Sequence, residues 1–315
     1  MVKACIVGAG VVGCYTALLL SDKAEITLIE KSPLANKPCS GLFSSRIFEF
    51  FPFPKKLVEA CFEEIEINFG KRKVTLILEQ PLYAFNRKKL EEYLFSLVKK
   101  EVDELLIDRV IAVTKRAEVF LERSGKRKFD RVIACDGTLS TTRKSLGLPS
   151  PRFHLGLQCF VKSKEKNEKI RAFATHHGFI WEIPRHGKIE YGIFEIPEIA
   201  RKLFENFLKE KNLSVQNFRG ALIPCGIVIS PYSNVFLCGD SAGMCKPWSG
   251  GGIIWGFTAA KIMESVFPNL AKANFFVKKI FFAKQIFYHR LSKIVRKCSF
   301  ILPKKIRIDT DWIFR

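Results

Sequence analysis

Three short segments place glycines and carboxylates together, and in the first of them the spacing suits the grip of a dinucleotide. Gly8-Ala-Gly10-Val-Val-Gly13 puts glycines where a tight turn, a close backbone approach to a pyrophosphate and a close helix-to-strand contact each exclude a side chain. Glu30, with Lys31 beside it, follows at close to the separation of about 20 residues expected of a carboxylate that takes ribose hydroxyls. An acid at that position fits an adenosine ribose without a 2′-phosphate. Further on, Cys135-Asp136-Gly137 runs on to Ser140 and Arg143, and Gly239-Asp240-Ser-Ala-Gly243 runs on to Pro247 and Gly250-Gly251-Gly252.

For these groups to converge, each must sit at the end of a strand. Lys3 to Val7 reads as a buried parallel strand, Cys14 to Leu20 as the helix after the glycine turn, and Glu25 to Ile29 as a second strand. Phe129 to Ala134 and Asn234 to Cys238 are further short apolar strands, and a helical run from near Gly251 extends through Lys261. Free amides at the start of both helices favour negative charge. Between about Pro151 and Pro224 the pattern changes to strand-like segments: Phe153 to Val161, Arg171 to Thr175, Gly178 to Ile183 and Lys188 to Glu195. A helical stretch from Glu198 to Lys211 follows. The expectation is an α/β protein in which a Rossmann-like domain with a mixed or parallel sheet (1–80, 81–150 and 223–268) is interleaved with an antiparallel-sheet substrate domain (151–222). A C-terminal helical segment (269–315) is expected to follow.

The 315 residues, 48% of them hydrophobic and 26% charged, carry ample apolar material for packed cores and exclude a disordered or fibrous chain. The 52 Lys and Arg against 31 Asp and Glu leave +21, which favours a polyanionic or anionic-surface partner. The charge concentrates near the C-terminus, where Asn269 to Ile308 contains eleven Lys or Arg and no acid, interleaved with Phe275, Phe276, Ile280, Phe282, Phe287 and Leu291 at helical spacings. Such a helix can lie in an anionic headgroup layer, or close the protein's own core, or do both. No recognised nucleic-acid module accompanies the charge, so nucleic acid is not the expected partner. Ten cysteines without a CxxC pair read as reduced, buried thiols, and the opening strand lacks the regions of a secretory signal. The expected setting is cytoplasmic, peripheral on the inner face of the membrane. His176 and His177 have no third ligand at metal spacing, so no metal is expected.

The order of these motifs resembles the FAD-dependent hydroxylase and reductase superfamily whose fold is named after para-hydroxybenzoate hydroxylase. By that resemblance FAD is the cofactor, with Asp240, after Gly239, on the ribityl hydroxyls and Asp136 near the pyrophosphate. Gly250, Gly251, Gly252 and Ile253 would bring helix-start amides to the flavin pyrimidine edge. Arg87, in Tyr83-Ala-Phe-Asn-Arg87, is implied as a flavin-phosphate contact. Phe179-Ile-Trp181-Glu-Ile-Pro184-Arg185 further resembles the YxWxFP element of geranylgeranyl reductases, with Phe179 for the tyrosine and Ile183 for the second phenylalanine. That resemblance implies a glutathione-reductase-type cofactor domain, saturation of isoprenoid double bonds by hydride transfer, and a lipid cavity lined by Phe179, Trp181, Pro184 and Trp248. Lys37-Pro38-Cys39-Ser40-Gly41 is similar to the family's glycine segment beside the isoalloxazine, with Ser40 for one glycine, and makes Cys39 the candidate catalytic residue. The reductant, NAD(P)H or a ferredoxin-type electron-donor protein, is left open. Flavin-dependent halogenases share a WxWxIP element and need a catalytic lysine, for which Lys71 and Lys73 are available. Aromatic monooxygenases share the cofactor motifs, and a flavin-containing peripheral lipid-binding protein is the non-enzymatic alternative.

Overall fold

The computed structural model describes residues 1–32, 37–163 and 169–309. Strand β1 (Lys3–Val7) leads through the glycine turn into α1 (Val11–Leu20) and β2 (Glu25–Glu30). A short β3 (Leu42–Ser44) and α2 (Ile47–Phe50) precede a long hairpin, β4 (Val58–Phe69) and β5 (Arg72–Phe85). Helix α3 (Arg87–Glu101) feeds β6 (Glu104–Ile107), the meander β7 (Val110–Val113), β8 (Glu118–Leu121) and β9 (Gly125–Lys128), then β10 (Arg131–Ala134) and α4 (Thr141–Ser145). The next run is β11 (Arg152–Lys162), β12 (Ile170–Ala174), β13 (Phe179–Arg185), β14 (Lys188–Glu195), α5 (Pro197–Glu210) and β15 (Arg219–Cys225). After β16 (Val235–Leu237) come α6 (Ile253–Glu264), α7 (Leu270–Lys297) and β17 (Lys305–Ile308).

Five strands form a parallel sheet in the order β16-β10-β1-β2-β6. Its central strands are almost wholly apolar because helices and the meander cover both faces. Helix α1 packs against α3 and α6, and Tyr15 stacks on Phe257 with ring centroids 3.9 Å apart. The start of α1 lies so close to β1 that a Cβ at Gly13 would come within 1.8 Å of the Gly8 carbonyl oxygen.

The second sheet runs β15-β11-β14-β13-β12-β4-β5-β17, with β3 added beside β5. It is antiparallel except where β12 meets β4 and where β17 meets β5. Helix α5 covers one face through Ala200, Phe204 and Leu208, packed on Ile180, Tyr191 and Ile193. The α/β architecture is as expected, but the sheet is larger than the segment from 151 to 222. Hairpin β4–β5, expected with the dinucleotide module, pairs in this sheet instead, because both strands alternate at period two and β4 joins β12. The C-terminal segment is also not purely helical: after α7, β17 returns to β5 with Ile306 opposite Leu76.

Gly13→Ala sets a gain in helix propensity of about 1 kcal/mol against overlap with backbone that cannot move aside. The overlap wins. The variant should unfold about 2–3 kcal/mol more easily in urea, with an unchanged m-value.

Candidate active site

The carboxyl ends of the parallel strands deliver their following residues to one crevice, as an open α/β sheet does. Gly8 has φ +98°, and a Cβ there would meet the Cys135 carbonyl at 2.6 Å, so the turn admits only glycine. Above Gly10 lies open space, with nothing within 4 Å of its would-be Cβ. Gly10 is the N-cap of α1 and makes no side-chain cap, so the first-turn amides are directed at whatever fills that space. Glu30 is buried, accepting from the Ala9 amide at 2.7 Å and the Ser32 amide at 3.2 Å. The acid therefore fixes the glycine turn while facing the crevice.

At the other end of the crevice, Asp240 follows the positive-φ Gly239 at the end of β16. Its Oδ2 pairs with Lys37 Nζ and takes a 3.3 Å hydrogen bond from Thr138 Oγ1, while Oδ1 lies 3.5 Å from Cys245 Sγ. Burial opposes ionisation of Asp240, but the Lys37 cation outweighs it and holds the carboxyl below its usual value. Burial likewise opposes charge on Lys37, and Asp240 reverses the effect to raise the ammonium. Arg143 fastens the neighbouring turns by donating to the carbonyls of Ser241 at 2.6 Å and Thr138 at 2.8 Å. Arg87, at the start of α3, lines the cavity and donates to Glu91 at 2.8 Å. Burial, opposed by Arg87, pushes the Glu91 carboxyl above its ordinary value.

Beyond this polar end the cavity continues along the large sheet to a total of about 1580 Å³. That exceeds the roughly 300–1,000 Å³ of common small-molecule pockets. Alternation along the strands makes the far wall apolar: Ile65 and Ile67 from β4, Leu76 from β5, Ala172 from β12, and Phe179, Trp181 and Ile183 from β13. Gly192, opposite Trp181, leaves room for the indole, whose ring atoms would lie 2.1 Å from a Cβ there. The indole Nε1 donates to Glu190 Oε1 at 3.1 Å.

Glu190, fully buried, also takes Arg185 Nη2 at 2.5 Å and Nε at 3.1 Å. The same guanidinium reaches Glu59 at 3.3 Å and donates to the Ser40 carbonyl, so it ties β13 to the loop carrying Cys39. Cys39 is half-buried, lines the cavity and accepts from the Gly41 amide at 3.4 Å.

Gly8, Gly10, Glu30, Lys31, Arg87, Asp136, Asp240, Gly250, Gly251, Gly252 and Ile253 all line this cavity, as do Cys39, Phe179, Trp181 and Trp248. Gly13 and Gly239 act from behind, by letting α1 and α6 approach. One expectation changes: Pro184 has the opposite strand parity to Trp181 and is buried away from the cavity. Asp136 lines the crevice with its carboxylate accepting from Ser140 Oγ at 2.6 Å and the Thr142 amide at 2.9 Å. Lys71 and Lys73 lie at the β4–β5 turn outside the cavity lining, with Lys73 paired to Glu66 at 3.4 Å. Sequence reasoning missed Lys37, Glu59, Glu190 and Tyr288. A carboxylate inside the run Ile189 to Phe194, where no other residue is charged, was the available signal for Glu190.

The residues fit FAD: a glycine cradle open to a diphosphate, a carboxylate at each end, and an uncapped α6 start at Gly252, whose would-be Cβ lies 3.2 Å from Asp240 Oδ1. Among the described residues no group of three or more His, Cys, Asp or Glu is arranged for a metal. No described helix is long and apolar enough to cross a membrane.

No protein-family model matches the chain. It is 23% identical over 301 residues to an uncharacterised protein of Methanocaldococcus jannaschii, covering 83% of this chain and 73% of that protein. It is 27% identical over 198 residues to a digeranylgeranylglycerophospholipid reductase of Methanococcus vannielii, covering 54% of this chain and 51% of that one. Among solved structures, a geranylgeranyl bacteriochlorophyll reductase-like protein of Thermoplasma acidophilum superposes with a TM-score of 0.81 at 17% identity, over 96% of this chain and 88% of its own. A flavin-dependent halogenase of Xanthomonas campestris gives 0.72 at 13% identity, over 92% and 77%. A probable FAD-dependent monooxygenase of Pseudomonas aeruginosa gives 0.70 at 15%, over 94% and 96%. The fold is that of the FAD-dependent oxidoreductases.

Lys37→Met leaves a half-buried carboxylate without its cation. The two side chains are 36% and 25% exposed, so solvent screens the pair and the expected cost is about 1–2 kcal/mol. In the parent protein the depressed Asp240 contributes stability above the ordinary carboxylate pKa of about 4, which is lost as pH falls through its folded value. Without the cation, burial dominates and the sign inverts, so the deficit of the variant should be largest at neutral pH and shrink toward pH 4, as denaturation midpoints across pH will read. A second variant, Glu190→Gln, leaves Arg185 buried without its main counter-charge and should cost about 3 kcal/mol. It should also shift tryptophan emission, since one amide oxygen must now serve both Arg185 and the Trp181 indole.

Proposed function

We propose that the protein is an FAD-dependent oxidoreductase that saturates carbon-carbon double bonds of an isoprenoid lipid. The observation that carries this reading is the continuity of one cavity from a dinucleotide cradle into a long apolar wall. A hydroxylase of small aromatic acids needs polar groups to orient its substrate, whereas the side chains of β4, β5, β12 and β13 that face this cavity are almost all hydrocarbon or aromatic. Likeness to a digeranylgeranylglycerophospholipid reductase and to a geranylgeranyl bacteriochlorophyll reductase-like fold supports the same reading. Lys71 and Lys73 lie outside the cavity lining, and Lys37, which lines it, is committed to Asp240, which weighs against halogenation.

The residues divide the work by chemistry. The glycine turn and first-turn amides of α1 hold the diphosphate, Glu30 the adenosine ribose, and Asp240 the ribityl hydroxyls. The start of α6 stabilises negative charge at the pyrimidine edge. When bound and reduced, FAD supplies a hydride to one alkene carbon, and the other takes a proton. Phe179, Trp181 and Ile183 would orient the alkene and exclude water, and the Arg185–Glu190 pair keeps the wall and the Cys39 loop in register. Cys39 is the proton donor in this reading, since its thiol lines the cavity in the loop held against β13.

The holoprotein should purify yellow, and after anaerobic reduction by dithionite it should be reoxidised by a geranylgeranyl lipid whose mass rises by two hydrogens per bond. Cys39→Ala should slow that step by about 10²-fold while leaving flavin occupancy intact. Substrate-dependent oxygen consumption with no alkene reduction would replace this reading with a monooxygenase.

A further inference from the structure

We propose that the outward face of α7 is a docking surface for the anionic headgroup layer of a lipid bilayer, placed so that the cavity opens toward that bilayer. Helix α7 spends one face on the protein: Leu270, Ala273, Val277 and Phe281 are fully buried, and Phe281 packs on Trp255 at 5.2 Å. That closes the core without using the rest of the helix. Phe275 is 61% exposed, Ile294 58%, and Phe282, Ile286 and Phe287 close to half. Of the eleven exposed large apolar side chains among the described residues, seven fall between Phe275 and Ile301, so they concentrate on this one segment.

The charge around these side chains identifies their partner. Lys272, Lys278, Lys279, Arg290 and Lys293 share the helix with the exposed rings, and the whole segment from Asn269 to Ile308 contains no acid to neutralise them. A second copy of the chain would bring like charge against like charge. A nucleic acid would meet the cations but leave the phenylalanines and isoleucines in water. An anionic bilayer satisfies both, with cations on phosphate and rings in the acyl boundary. Helix α7 is 28 residues long, about 42 Å, but no window is apolar enough to cross, so it lies along the surface.

The cavity reaches the same helix. Tyr288, Leu291, Ser292 and Val295 line it from α7, and Ile306 and Ile308 line it from β17. An apolar chain leaving the bilayer at this helix meets cavity wall on its inner edge. This last step rests on the proposed lipid substrate; the docking itself does not.

The test uses the full-length holoprotein and sedimentation with vesicles of phosphatidylcholine, with and without phosphatidylglycerol. Binding should require phosphatidylglycerol and weaken as salt rises. Phe282→Ser with Phe287→Ser, and separately Lys279→Glu with Lys293→Glu, should each lower partitioning by at least about tenfold with an unchanged flavin spectrum. Both pairs should reduce turnover of vesicle-embedded isoprenoid and spare turnover of detergent-dispersed isoprenoid. Three results overturn the proposal: no sedimentation with either vesicle, a dimer by light scattering that the phenylalanine variant converts to monomer, or release from vesicles by stoichiometric duplex DNA. A protein that docks but reduces no alkene keeps this surface and loses the proposed reaction. One that reduces detergent-dispersed alkene but ignores vesicles does the opposite.

Discussion

One buried guanidinium sets the shape on which the site depends. Arg185 leaves the end of β13 and meets Glu190 from the next strand, Glu59 from the long hairpin, and the Ser40 carbonyl from the loop after β2. Three segments remote in sequence are thereby held at one point, where the apolar wall meets the crevice of the parallel sheet. A desolvated cation tolerates this only because carboxylates and carbonyls surround it, and removing any one acceptor leaves charge that water cannot reach. Arginine suits the position because its fork serves several acceptors at once, which a lysine ammonium on a flexible stem cannot reproduce.

The cradle was legible because its instructions are local. Glycines at 8, 10 and 13, a strand before them and a helix after them are short-range features, and the backbone does what their missing side chains allow. Strands β11 to β14 were equally readable from period-two patterning and turn residues. Hairpin β4–β5 was misplaced because its neighbour β12 lies about a hundred residues away, and nothing in VEACFEEIEINF says which sheet it joins. Strand parity moved Pro184: a motif match spans consecutive residues, while a cavity sees every second one. The two local donors that satisfy the Asp136 carboxylate were not legible either, because a hydrogen-bond inventory is invisible before folding.

Lys37 and Glu190 were hidden for a related reason. Each is charged in a setting where charge is costly, and the partner that makes it tolerable comes from elsewhere in the chain: Asp240 is 203 residues from Lys37. The same framework serves reductases, halogenases and monooxygenases, so the fold does not choose among them. What separates the chemistries is the content of the wall and the position of a few polar side chains at its edge, and in this chain the wall is hydrocarbon.

The ring of Trp248, in the turn before Gly250, lies 3.7 Å from that of Tyr288 on α7, and Lys246 Nζ lies 5.6 Å from the same indole. The loop proposed to face the flavin and helix α7 therefore share one aromatic contact. Whatever free energy nucleotide occupancy exerts on the tilt of that helix, the helix returns in equal measure to nucleotide affinity, because such coupling is reciprocal. A holoprotein and its stripped form need not, on this account, partition equally between aqueous and lipid phases.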